Sequence, residues 1–139
     1  MQFSSAHFER IKGEFEPLHG HNYKVICRIE GPLNNEKVVI DFHYVKKIIE
    51  KICKKLDHRV LIPEKNPHLK IQEKDENIVI LADRYLYALP KRDVVLLPIE
   101  ETSTELLAKY IHEQIHLPCD CTYSVAVSEN EGSTAVYFG

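Results

Sequence analysis

His21-Asn22-Tyr23-Lys24-Val25-Ile26-Cys27-Arg28-Ile29-Glu30 is the stretch that decides the fold. His21, Tyr23, Val25, Cys27 and Ile29 alternate with Asn22, Lys24, Ile26, Arg28 and Glu30, the period of a strand with two unlike faces. Gly31-Pro32 ends the run. Upstream, Gln2 to Ile11 divides by parity in the same way, with Phe3, Ser5, His7, Glu9 and Ile11 on one side. Joined by the loop from Gly13 to Leu18, the two runs predict an antiparallel pair.

Working outward, Asp41 is placed to cap a helix whose Val45, Ile48, Ile49, Ile52 and Leu56 form one apolar stripe. Thr102 with Glu105 three residues on is a capping-box signature for a second helix, carrying Leu106, Leu107, Tyr110, Ile111 and Ile115 and ending near Pro118. Thr122 to Glu129 and Thr134 to Phe138 alternate around Asn130-Glu131-Gly132-Ser133, a hairpin signal. Between the helices, Pro63 to Pro98 holds two short apolar runs, Ile78 to Leu81 and Tyr85 to Leu89, read as a small exposed hairpin. The order β-β-α-(hairpin)-α-β-β describes an α+β layer with both helices on one sheet face.

At 139 residues, 44% hydrophobic and 28% charged, the chain has the size and composition of a single domain, 1–139. A net charge of −3 with scattered Lys and Arg gives no basic footprint, so nucleic acid is not expected as a partner. No apolar run is long enough to enter a membrane, and Met1 to Arg10 lacks the apolar core of a signal peptide. Cys27, Cys53, Cys119 and Cys121 show no framework spacing and read as reduced thiols, which places the protein in the cytoplasm. Eight His beside no Trp is the unusual feature.

His19 and His21 flank Gly20, so in an extended chain both imidazoles project to one side. His7 on the neighbouring strand supplies a third nitrogen, and three protein ligands with one open position is the arrangement of a catalytic zinc site. Neutral imidazoles suit Zn²⁺, and Fe, Co, Ni or Cu would also fit. Glu14 and Glu16 lie in the loop feeding His19, where a carboxylate can act as general base or simply be solvated. Asp57-His58 is a second acid/base unit, or a surface pair at a helix end. His43, His68, His112 and His116 lie outside this cluster, and Cys119-x-Cys121 lacks a second pair to complete a metal site. Without GxSxG, a phosphate-binding glycine loop or HExxH, serine hydrolases, P-loop enzymes and zincin proteases are excluded.

Ser5-Ala6-His7-Phe8, Leu18-His19-Gly20-His21-Asn22-Tyr23, Asp41-Phe42, Leu56-Asp57-His58-Arg59-Val60-Leu61, Thr102-Ser103-Thr104-Glu105 and Val127-Ser128-Glu129 follow one another along the chain. Together they resemble the 6-pyruvoyl-tetrahydropterin synthase family, which includes the 6-carboxy-tetrahydropterin synthases. The resemblance implies a tunnelling fold (T-fold), a four-stranded antiparallel sheet with two helices on one face. Trimers of such chains close their sheets into a barrel, and two trimers stack as a homohexamer with active sites between subunits. It further implies zinc on His7, His19 and His21, and a pterin held by Glu129 and by Ser103, Thr104 and Glu105. Asp57 and His58 match the family's proton-carrying pair. The family's usual catalytic cysteine falls at Phe15, which carries no proton. Glu16-Pro17-Leu18-His19-Gly20-His21 instead resembles the ExxHGH subgroup, in which a glutamate replaces the thiol. That likeness implies a lyase of pterin biosynthesis that cleaves 7,8-dihydroneopterin or its (tri)phosphate to 6-hydroxymethyl-7,8-dihydropterin, a folate precursor. The alternatives are triphosphate elimination by a 6-pyruvoyl-tetrahydropterin synthase, or a non-catalytic zinc- and pterin-binding homologue.

Overall fold

A computed structural model describes residues 1–139. The N-terminal run divides into β1 (Gln2–His7) and a miniature hairpin of β2 (Arg10–Ile11) and β3 (Glu14–Phe15), followed by the long β4 (His19–Glu30). Lys12 and Gly13, with φ of 50° and 81°, make the tight turn that separates β2 from β3. Helix α1 (Phe42–Leu56) begins at Asp41, whose Oδ1 accepts the His43 N–H at 2.8 Å. Then come β5 (Arg59–Pro63), β6 (Leu69–Lys74), β7 (Asn77–Ala82), β8 (Tyr85–Pro90) and β9 (Val94–Leu97). Helix α2 (Thr104–Gln114) precedes the closing hairpin of β10 (Thr122–Asn130) and β11 (Ser133–Tyr137).

The main sheet has the order β11-β10-β4-β1-β5-β9. Its first four strands are the expected antiparallel set. Two short strands extend it to six, β5 parallel to β1 and β9 parallel to β5. After Arg59, their sequences, VLIP and VVLL, are apolar runs without alternation, the mark of strands covered on both faces. Phe3 of β1 and Tyr23 and Val25 of β4 face one layer formed by Val45, Ile49, Ile52 and Leu56 of α1 and Leu107 and Ile111 of α2.

Three local expectations change. Ser103, not Thr102, caps α2, its Oγ accepting the Leu106 N–H at 3.3 Å, and the helix stops at Gln114, short of Pro118. Thr102 is fully buried and is used elsewhere. The Ile78–Leu81 and Tyr85–Leu89 runs do pair as a hairpin, but β6 joins them in a three-stranded sheet. One face of that sheet, Ile78, Ile80 and Ala82, is buried against Phe8 and Phe15 in a second core. Cys119 and Cys121, expected as thiols, are joined in a disulfide with their Cα atoms 5.3 Å apart, a separation that permits the bond, while Cys27 and Cys53 are free. No helix is long and apolar enough to cross a membrane.

Candidate metal centre and active site

The β1–β4 register sets His7 opposite His19 and Ser5 opposite His21. Because strand side chains alternate, all three imidazoles leave the same face. Their ring centres lie 4.8 Å (His7–His19), 5.2 Å (His7–His21) and 4.9 Å (His19–His21) apart. One ligand nitrogen from each falls within 4.8 Å of the others. Nitrogens around a tetrahedral zinc stand about 3.4 Å apart, so small side-chain rotations close the set on an ion. A Cβ on Gly20 would come within 3.3 Å of the Ser5 carbonyl oxygen, which accounts for the glycine between the two strand histidines.

The outer faces of the rings decide which nitrogen is free. His7 Nδ1 lies 3.2 Å from the Thr102 carbonyl oxygen and 3.1 Å from Thr102 Oγ1. His19 Nδ1 lies 2.8 Å from the Pro17 carbonyl oxygen. A carbonyl only accepts, so Nδ1 carries the hydrogen in both neutral rings and Nε2 presents its lone pair. This is the usual support of a metal-binding histidine, and the donor set fits zinc. Burial lowers the His7 pKa from 6.5 to about 4, with the neighbouring His19 and His21 adding to the shift, so the ring is uncharged at neutral pH.

Thr102 is positioned by Glu101, whose Oε1 accepts the Thr102 N–H at 2.9 Å. Its Oε2 accepts the Arg10 N–H at 3.1 Å and Asn66 Nδ2–H at 3.3 Å. Thr102→Val removes the hydroxyl but keeps the carbonyl. Zinc affinity, read by chelator competition, is expected to fall about tenfold; an unchanged affinity would mean that the hydroxyl does not orient His7.

Carboxylates gather around the imidazoles. Glu129 Oε2 lies 3.8 Å from His21 Nε2, too far for a hydrogen bond. Glu16 is half-buried, and its N–H donates to the Glu9 carbonyl at 2.9 Å. The Glu9 carboxyl is pushed up to about 7, first by burial and then by Glu101, Glu16, Glu129 and Glu105. Burial, with Glu129, Glu9 and Glu16, also raises the Tyr23 phenol, whose hydroxyl is buried without a partner. Glu9 and Glu101 were absent from the residues singled out in the sequence, although Glu9 shares the parity of His7. Ser103 is occupied by its cap, and Thr104 Oγ1 donates to Glu105 Oε2 at 3.3 Å at the start of α2.

Asp57 and His58 stand elsewhere in the chain. Asp57 Oδ2 accepts from His58 Nδ1 at 2.8 Å and Oδ1 accepts the Ser4 N–H at 2.7 Å. The Ser4 N–H first, and His58 second, hold the Asp57 carboxyl below the usual range. The His58 N–H donates to the Ser4 carbonyl at 2.7 Å, which fixes the pair level with Ser4. Ser4 is three residues from His7, about 10 Å along a strand. His58 lines a hollow of about 510 Å³ with Ser4, Ser5, Ala6, Gly20, His21 and Asn22, residues of both parities of β1 and β4, and its side chain is 83% exposed. In one chain, Glu129 stands 3.8 Å from His21 Nε2, whereas the Asp57-His58 pair sits level with Ser4. Of the other histidines, His112 packs flat on Tyr123 at 4.4 Å, and His43, His68 and His116 do not enter the cluster.

Comparison with known proteins follows the same lines. The family model described as 6-pyruvoyl tetrahydropterin synthase matches residues 1–139. A Methanocaldococcus jannaschii protein named "Putative 6-carboxy-5,6,7,8-tetrahydropterin synthase" is 34% identical over 116 residues, 83% of this chain and 71% of its own length. A Pyrococcus furiosus protein named "Dihydroneopterin monophosphate aldolase" is 39% identical over 59 residues, 42% of this chain and 50% of its own. A Plasmodium vivax 6-pyruvoyltetrahydropterin synthase structure superposes with a TM-score of 0.88 and 36% identity, covering 98% of this chain and 90% of that one. It is described as a catalytic-residue mutant in which a glutamate is replaced by alanine. The two-helix α+β sheet, the paired histidine strands and the match over all 139 residues agree with one another, and the chain belongs to the 6-pyruvoyl tetrahydropterin synthase family of pterin biosynthesis.

Proposed function

We propose that this chain is a zinc-dependent lyase that cleaves the side chain of a 7,8-dihydroneopterin phosphate to 6-hydroxymethyl-7,8-dihydropterin, with Glu16 as the base. The observation that carries the reading is the pair at positions 15 and 16: Phe15 is buried in the second core, while the half-buried Glu16, in the segment leading to His19, is close enough to Glu9 and Tyr23 to help raise the pKa of both. The aldolase name of the Pyrococcus furiosus relative and the mutated glutamate of the Plasmodium vivax structure support it.

His7, His19 and His21 hold the zinc, which when bound polarises the vicinal hydroxyls of the substrate side chain. Glu129 accepts two parallel N–H groups from the amino-pyrimidine edge of the pterin, a match for a bidentate carboxylate. Ser103, Thr104 and Glu105 close the pocket at the start of α2. Glu16 takes the proton of the second side-chain hydroxyl, and that oxygen's electrons form a carbonyl as the bond between the first and second carbons breaks. The pterin ring accepts the released pair. His58, oriented by Asp57, returns a proton to the first carbon, leaving the hydroxymethyl pterin and a glycolaldehyde fragment.

Asp57-His58 sits level with Ser4, about 10 Å along the strand from His7, and we assign the pair to the site of a neighbouring copy. A homohexamer of two stacked trimers, with barrels closed between β11 and β9 edges, gives such a site; exposed Phe138, Phe42 and Ile26 at 76%, 74% and 51% supply apolar surface for subunit contacts. A second reading, triphosphate elimination to the 6-pyruvoyl product, is favoured by the name of the matching family. Incubation of zinc-loaded protein with 7,8-dihydroneopterin and its mono- and triphosphates separates the two. Hydroxymethyl-dihydropterin with a glycolaldehyde species is the expected outcome; inorganic triphosphate with a pyruvoyl pterin would establish the second reading.

A further inference from the structure

The small β6–β8 sheet has no part in the chemistry above, yet it ends at the residue next to the proposed base. Phe15 is 7% exposed and meets Phe8 edge to face, with ring centres 5.6 Å apart. Phe8 in turn lies flat on Tyr87 of β8, at 4.9 Å and 11°. The Arg10 guanidinium stands 5.8 Å from the Phe15 ring centre, and Asp83, in the β7–β8 turn with φ of 53°, holds it at 3.4 Å. Phe15 is thus gripped by two side chains that are themselves anchored in the small sheet.

The backbone carries that grip forward. Arg10 pairs with Phe15 and Ile11 with Glu14, and the Glu16 N–H continues the ladder to the Glu9 carbonyl at 2.9 Å. Consecutive side chains of an extended chain leave opposite faces, so a Phe15 ring turned into the core sends Glu16 the other way. Downstream, the Pro17 carbonyl is tied to His19 Nδ1 at 2.8 Å. The segment is therefore fixed at both ends, by the second core and by a metal-site ring.

We propose that the β6–β8 sheet is a positioning platform: through Phe8, Tyr87 and Arg10 it clamps Phe15, and Phe15 fixes Glu16 at the metal centre. Phe15 is a positioning residue in this scheme, and the inference rests on Glu16 being the base. A reacting group misplaced by about 1 Å costs about 10²-fold in rate, so a base on a short loop needs an anchor of this kind.

Phe15→Ala is expected to lower kcat about 10²-fold, with KM and zinc content held within about threefold of wild type. Phe15→Leu, which refills most of the space, recovers most of that loss. Hydrogen exchange at the Glu16 amide is expected to quicken about tenfold in Phe15→Ala, while the His21 and Tyr23 amides stay protected. If Phe15→Ala does not fold, Tyr87→Leu gives the same readings, with a severalfold fall in kcat and faster Glu16 exchange. A folded variant with wild-type kcat and wild-type exchange at Glu16 overturns the clamp. Glu16→Gln turning over normally would instead remove the base assignment, and the exchange rates alone would then decide for or against the clamp.

Discussion

Glu16→Gln is expected to lower turnover about 10³-fold, the range of a lost general base, with folding and zinc content unchanged. The substitution preserves shape and removes only the proton acceptor. No other group replaces it easily. Glu9 is pushed up to about 7, so that about half of it is protonated at neutral pH, and its carbonyl is committed to the Glu16 N–H. Glu101 is engaged by three hydrogen-bond donors, the Thr102 and Arg10 amides and Asn66 Nδ2. Glu129 stands 3.8 Å from His21, and the proposed reading commits it to the pterin edge. Steady-state assays with dihydroneopterin monophosphate, with zinc content measured in parallel, check the expectation; a Glu16→Gln enzyme within about threefold of wild type would remove Glu16 from the mechanism.

His58→Gly is expected to separate stability from activity. His58 occupies the position just after the last residue capping α1 and has φ of 56°, a left-handed conformation that suits glycine. A non-glycine residue there costs about 1 kcal/mol. Glycine relieves that strain, so the melting temperature should hold or rise by a few degrees. Activity should fall about 10²-fold or more, the loss of a general acid. A histidine standing where the backbone favours glycine, hydrogen-bonded to an Asp57 that is itself tied to Ser4, is better explained by chemistry than by packing. Thermal denaturation and turnover of the same preparation test this. Equal activity in the His58→Gly protein would leave Asp57-His58 as a helix terminus and no more.

The antiparallel half of the sheet was legible because β4 and β1 bury one face only, so alternation is written into Phe3, Ser5 and His7 and into His21, Tyr23 and Val25. The parallel strands were not, because Leu61, Ile62 and Leu97 are covered on both sides and an apolar run without period looks like any buried segment. Asp41 declared its helix. Thr102 misled, since Thr102, Ser103 and Thr104 are three adjacent hydroxyl residues, each able to cap, and the choice fell to Ser103 because Thr102 is drawn inward to His7.

The same contrast holds at the site. The His19-Gly20-His21 spacing puts two rings on one face by strand geometry alone, and the hairpin brings His7 opposite them. Glu101 could not be read forward, because its role depends on Arg10 and Asn66 meeting it from distant segments. Phe15 was legible as a missing thiol but not as an anchor, since its cage is assembled from Phe8, Arg10 and the small sheet.

X-ray absorption at the metal edge of protein purified without chelator bears most directly on the three-imidazole centre. The expected spectrum shows about one zinc per chain with three imidazole nitrogens at about 2.0–2.1 Å and a fourth, lighter-atom ligand, and His7→Ala loses it. A wild-type protein without stoichiometric metal, or with a zinc shell dominated by sulfur, would contradict the centre and the chemistry derived from it.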